Sequence, residues 1–158
     1  MSQPVGKARS KTGKVYALCL GKKRGLAKEA IKAGFIRDGL GLEGDGHAGP
    51  GRRQISLLAL ERILSVNGEK NLAAGPGGFA ENITTMGIDW SAATIGSLIT
   101  IGAVQLRIVE RGKPEHGPED YSFHGVALLA KEGIFAEVIE SGCIVEGDTI
   151  DVQLPDEE

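Results

Sequence analysis

Short apolar runs separated by glycine turns dominate the chain. Val15 to Leu20 (VYALCL) is apolar throughout, as a strand buried on both faces would be. Gln54 to Leu58 reads the same way. Ala103 to Glu110 (AVQLRIVE) alternates, placing Val104, Leu106 and Ile108 on one face of a half-buried strand. Gly96 to Ile101 and Gly147 to Val152 echo each other: a turn glycine leads into alternating apolar positions. Ile83 to Thr85 predicts a further short strand. Gly133 to Glu140 fits a strand or a helix, and the Ser141-Gly142 turn favours a strand paired in a hairpin with the segment after the turn. Helical spacing occurs at Leu60, Ile63 and Leu64, predicting a short helix over 59–66 that ends near Asn67-Gly68. Val126 to Lys131 allows one or two helical turns. Many short strands and few helices predict a mainly β fold, closed into a barrel so that no sheet edge stays exposed.

The 158 residues suffice for one domain with a real core. No composition break or linker divides them. Residues 1–13 are polar and basic and read as a frayed tail, leaving 14–158 as the domain. Lys22-Lys23-Arg24 reads as a solvated turn. The formal net charge of -3 argues against nucleic acid as a partner. No apolar stretch predicts a membrane span or the core of a signal peptide. Two cysteines, Cys19 and Cys143, form neither a disulfide framework nor a zinc pattern, and a reducing cytoplasm is the expected location. Cys19 sits in an apolar run and reads as buried; Cys143 opens a strand after a turn.

Chemistry concentrates in three loops. Residues 39 to 51 place glycine at six of thirteen positions, carry His47, and lead into Arg52-Arg53. Glycine lets backbone N–H groups approach a ligand, and a guanidinium fork matches phosphate or carboxylate oxygens. The same pattern suits a surface loop whose arginines pair with acids. In "GGFAENITT", Glu81-Asn82 stands between a loop and a strand; its amide could read a polar heterocycle or cap a turn. "RGKPEHGPEDYSFHG", residues 111 to 125, gathers Lys113, Glu115 and His116 after a good strand. His116 is of the type that works as a general acid or base near neutrality, and a solvated loop fits equally. His47, His116 and His124 share no metal-ligand spacing.

Taken in order, "GLEGDGHAG", "RRQISLLALERI", "GGFAENITTMGI", "IGSLITIGAVQLRIVERGKP", "GIFAEVIESG" and "VEGDTIDV" resemble the MOSC domain, the C-terminal domain of molybdenum cofactor sulfurases that also occurs as small stand-alone bacterial proteins. The resemblance runs from about Val15 to Val152. It implies a β-rich barrel and a site for the pterin-phosphate of the molybdenum cofactor (molybdopterin, with or without Mo) or a related sulfur-bearing ligand. It assigns to that site Gly44, Asp45 and His47 from the first motif, Arg52, Arg53, Gln54 and Ser56 from the second, Glu81 and Asn82 from the third, and Lys113. Relatives that carry sulfur or ligate molybdenum place a cysteine in a Gly-Lys-x-Cys-His pattern. Here the run is Gly112-Lys113-Pro114-Glu115-His116, with glutamate in the cysteine's place. A carboxylate carries no persulfide and is a poor substitute for a thiolate ligand. The resemblance therefore implies a cofactor-binding protein in biosynthesis, sulfuration or delivery. A sulfurtransferase or molybdenum-dependent reductase would have to use Cys143, Glu115 or His116, and a non-catalytic docking module for molybdoenzymes or biosynthetic proteins stands beside it. Pyridoxal phosphate would enter only through a partner protein.

Overall fold

The structure, a computed structural model, describes residues 10–155 apart from Arg24, His47, residues 114–116 and residues 118–119. Seven strands close into a barrel. They are β1 (Ser10–Leu20), β5 (Ile55–Ala59), β6 (Ile83–Met86), β7 (Leu98–Ile101), β8 (Val104–Arg111), β9 (Ile134–Glu140) and β11 (Thr149–Gln153). Round the barrel the order is β1-β11-β7-β8-β9-β5-β6 and back to β1. Every pairing is antiparallel except β5–β6, whose connection holds helix α1 (Leu60–Lys70). β2 (Glu29–Ile31) adds to β1. A second sheet, β10 (Gly142–Val145), β3 (Ala33–Arg37) and β4 (Gly41–Leu42), contributes Ile36, Leu42 and Ile144 to the barrel's core.

The alternation in the sequence is the alternation of the wall. Val104, Leu106, Ile108, Ile99, Ile101, Ile150 and Val152 all point inward and are fully buried. A smaller core lies outside the wall, where α1 and helix α2 (Leu128–Glu132) bury Leu58, Ile63, Phe79 and Leu128. No helix among the described residues is long and apolar enough to cross a membrane.

Three expectations need correction, and some strands were not foreseen. β1 begins at Ser10, inside the stretch read as a tail, because residues 10–14 pair with β11 through backbone bonds that need no apolar side chain. Helix α1 runs past Asn67-Gly68 to Lys70 and stops at Asn71 in the left-handed conformation (φ 56°). The Asn67 amide donates to the Ala74 carbonyl (2.9 Å) and accepts from the Ala74 N–H (3.0 Å), so it anchors the following loop instead of ending the helix. β9 is a strand but forms no hairpin with β10, since it pairs with β5 and β8 while β10 pairs with β3. The strands between Glu29 and Leu42 left no signal in the hydrophobic pattern, and β2 and β3 show mostly exposed or half-buried side chains.

Candidate functional site

β8 carries a bulge that reverses the faces of its last residues. Ile108 pairs with Ala136, but Glu110, not Val109, pairs with Phe135, and Arg111 pairs with Ile134. One extra residue at a bulge swaps which side chain faces out. Glu110 therefore joins Phe135 and Ser56 in one outward row, because Ser56 pairs with Phe135. That row floors a cleft of about 840 Å³. Its walls are Gly49 to Arg53, Ala80 and Asn82, Lys113, and the Asp120-Tyr121 segment, with Leu129 and Ala130 of α2. The three loops that carry the sequence motifs thus share one cavity.

The cations there are unequal. Arg53 donates to both oxygens of Glu110 (2.5 and 3.2 Å) and lies over the Phe135 ring at 5.7 Å. This bond holds the Glu110 carboxyl below its ordinary range and raises the Arg53 guanidinium. Lys113 donates to Asp120 at 2.7 Å. Arg52 makes one weak contact, from Nη2 to the carbonyl of the bulge residue Val109 at 3.3 Å, and forms no ion pair among the described residues. Beside it, a Cβ at Gly49 or Gly51 would meet nothing within 4 Å, so that backbone is open to the cleft.

Other candidates make bonds within the fold. Asp45 is buried and accepts from Lys28 Nζ at 2.8 and 3.1 Å and from the Gly21 N–H at 3.0 Å. Gly44 (φ 89°) forms the turn beside it. Gln54 is buried and accepts from the Val138 N–H at 2.8 Å, tying the start of β5 to β9. Asn82 lines the cleft, yet its Oδ1 accepts from the Ser56 N–H (3.0 Å) and its Nδ2 donates to the Cys19 carbonyl (3.4 Å), so the amide latches β5 to β1. Two of the glycines in these motifs serve close backbone packing. A Cβ at Gly77 (φ 79°) would lie 2.3 Å from the Lys28 carbonyl oxygen, and one at Gly41 (φ 112°) would lie 2.4 Å from that of Gln54. His47, Glu115 and His116 lie outside the described residues.

Glu81 is fully buried. Its Oε2 accepts from the Thr84 hydroxyl (2.6 Å) and the Gly77 N–H (2.9 Å), while Oε1 has no hydrogen-bond partner among the described residues. Those bonds hold the 77–80 turn, in which Ala80 adopts φ 72° and the Gly78 carbonyl accepts from Tyr121 of the cleft at 2.9 Å. Burial pushes the Glu81 carboxyl up. A carboxyl raised in the fold leaves stability unaffected below its unfolded pKa of about 4.3 and destabilises as pH climbs through its folded value. Glu81→Gln is therefore expected to melt above wild type at pH 8 and level with it at pH 4. Thermal denaturation followed by circular dichroism checks this.

Neither cysteine lines this cleft. Cys19 is buried, and burial with the neighbouring Glu81 pushes its thiol up to about 12. Cys143 is exposed on β10, opposite Phe35. Among the described residues no cluster of His, Cys, Asp and Glu could hold a metal ion. The cleft residues that sequence reasoning missed are Glu110, Tyr121 and Phe135. Of these, only Glu110 left a signal, as a carboxylate at the end of a predicted strand, next to Arg111.

Comparison with known proteins agrees with this fold. The YuaD protein of Bacillus subtilis superposes with a TM-score of 0.73 at 19% identity, over 92% of this chain and 98% of that one. YiiM of Geobacillus stearothermophilus gives 0.67 at 14% identity, over 89% and 74%. YiiM of Escherichia coli gives 0.65 at 22% identity, over 89% and 69%. No curated protein sequence matches. The MOSC domain model matches residues 43–151, which hold the Arg52-Arg53 loop, the Asn82 latch and the bulged strand, and the chain belongs to the MOSC domain family.

Proposed function

We propose that this cleft binds the phosphorylated pterin of the molybdenum cofactor and that the protein holds the cofactor during its biosynthesis, sulfuration or delivery to molybdoenzymes. The observation that carries the reading is Arg52. In a cleft where Arg53 and Lys113 are bonded to carboxylates, its guanidinium forms no ion pair among the described residues, and it stands beside the open backbone of Gly49 and Gly51. A guanidinium with neighbouring amides suits a phosphate. The cleft's volume is within the range of cofactor sites. Tyr121 offers a half-buried ring as flat apolar surface for a fused ring, while Phe135 and Ser56 are buried in the floor, the first beneath the Arg53 guanidinium and the second bonded to Asn82.

The residues present fit the pterin-phosphate better than they fit sulfur chemistry. Arg52 and the Gly49–Gly51 backbone would hold the phosphate, and the Tyr121 side would hold the ring. When bound, the cofactor supplies redox or sulfur-bearing chemistry through its dithiolene and metal; the residues of this chain bind and orient it. Glu115 stands in the cysteine's place, Cys19 is buried as a thiol, and Cys143 lies outside the cleft, so sulfur transfer through this chain lacks a nucleophile at the site.

Calorimetric titration with molybdopterin tests the reading. Saturable binding is expected, weakened at least about tenfold for the pterin without its phosphate, the loss of one charge-assisted contact. Absence of binding, or equal affinity for the two ligands, would rule it out.

A further inference from the structure

One wall of the cleft is shaped from behind. Ala80 lines the cleft and stands in the left-handed region at φ 72°, where a side chain is strained. Such a conformation persists only where its surroundings impose it. Backbone bonds supply part of the constraint. The Gly78 N–H donates to the Gly75 carbonyl and the Ala80 N–H to the Gly77 carbonyl, both at 2.9 Å. The Gly77 carbonyl also accepts from the Lys28 N–H at 2.8 Å.

The side chain that holds this turn is Glu81. It reaches back four residues, so that Oε2 accepts from the Gly77 N–H at 2.9 Å, and it accepts from the Thr84 hydroxyl of β6 at 2.6 Å. Glu81 and Thr84 are both fully buried, so the turn is tied to the barrel wall. The turn passes the constraint to the cleft. Its Gly78 carbonyl accepts from the hydroxyl of Tyr121, forty-three residues further on, at 2.9 Å. The two groups also sense each other through space: burial pushes the Tyr121 phenol up, and the Glu81 carboxyl pushes it further.

We propose that Glu81 is a positioning residue for the cleft, which from inside the wall sets the 77–80 turn and through the Gly78 carbonyl fixes the Tyr121 ring for the pterin. The proposal rests on the reading of the cleft as a pterin-phosphate site. Glu81 touches no ligand in it. Its carboxyl acts through the Gly77 N–H, the Gly78 carbonyl and the Tyr121 hydroxyl in turn.

The chain has two tyrosines, so ¹³Cζ labelling of the full-length protein gives two phenol resonances, and Tyr121→Phe assigns them. The Tyr121 resonance is expected to stay near its wild-type position in Glu81→Gln, which keeps an accepting oxygen. In Glu81→Leu, which keeps none, it should move toward that of a solvated tyrosine. Calorimetric titration with molybdopterin gives the second readout. Glu81→Leu and Tyr121→Phe should each bind about fivefold more weakly, the loss of one hydrogen bond, and Glu81→Gln within about twofold of wild type. The double variant Glu81→Leu/Tyr121→Phe should lose no more than either change alone, because both cut the same path. Tyr121 is half-buried and its phenylalanine variant keeps the ring, so that arm carries the test even if Glu81→Leu does not fold. An unmoved Tyr121 resonance in Glu81→Leu, additive losses in the double variant, or wild-type affinity in Tyr121→Phe overturns the proposal and leaves the cleft a pterin site. A wild-type protein that binds no molybdopterin overturns the reading of the cleft, and the proposal with it.

Discussion

Asp45→Ala is expected to melt on the order of 10 °C below wild type. Asp45 and Lys28 form an ion pair whose side chains are each 1% exposed. Removing the carboxylate leaves the buried ammonium without a bond made at 2.8 and 3.1 Å, and it also takes an acceptor from the Gly21 N–H. Breaking one half of a buried pair costs about 3–5 kcal/mol. For a domain of this size each kcal/mol shifts the midpoint by about 2–4 °C. The loss belongs to the broken pair and not to the site, which a second variant checks. Lys28→Met/Asp45→Leu replaces both charges with apolar groups of similar size and is expected to recover most of the lost stability. A double variant that melts as low as Asp45→Ala would show that the charges themselves are required.

The same pair marks the limit of what the sequence discloses. An aspartate in a glycine loop, followed by a histidine and two arginines, has the composition of an anion site. Its partner lies seventeen residues earlier, in a segment without hydrophobic periodicity. Nothing in the local pattern indicates that Lys28 folds back beneath the loop. Gly77 has the same origin: it is glycine because the Lys28 carbonyl passes 2.3 Å from where a Cβ would sit. Glycine-rich motifs here record close backbone crossings as much as open turns, and only the folded chain separates Gly77 from Gly49 and Gly51.

The barrel strands were legible because each has one side fully buried. Val104, Leu106 and Ile108 could be placed on an inner face from alternation alone, and they are all at 0% exposure. β2 and β3 were not legible, because they sit mostly exposed and are held by backbone pairing to β1 and β10. The bulge at the end of β8 was equally silent. Alternation read straight through would place Val109 opposite Phe135, whereas the register places Glu110 there. That single displacement sends Glu110 into the cleft and turns Arg111 to the other face of the wall. The Arg52-Arg53 loop was legible as a candidate site, but the roles of its two arginines depend on Glu110, fifty-seven residues from Arg53.

Those roles lead to a second large effect. Arg52→Ala is expected to weaken binding of molybdopterin, or of a phosphate-bearing pterin, by at least about tenfold, the value of one hydrogen bond to a charged group. Arg53 differs because its guanidinium is already committed to Glu110 at 2.5 and 3.2 Å. Arg53→Ala alone is a misleading comparison. It exposes a carboxylate that the arginine holds below its ordinary range, and the freed negative charge would repel an anion in the same cleft. The balanced variant is Arg53→Ala/Glu110→Ala, which removes one charge of each sign and leaves Arg52 in place. It is expected to bind within about threefold of wild type, since an exposed ion pair carries no more than about 1 kcal/mol. Raising the salt concentration should weaken wild type and the double variant alike and Arg52→Ala less, because screening acts on the charge that only the first two retain. Calorimetric titrations at two ionic strengths decide the matter. If the double variant loses as much affinity as Arg52→Ala, the anion is held by Arg53 after release from Glu110. If Arg52→Ala binds as wild type does, the phosphate is held elsewhere.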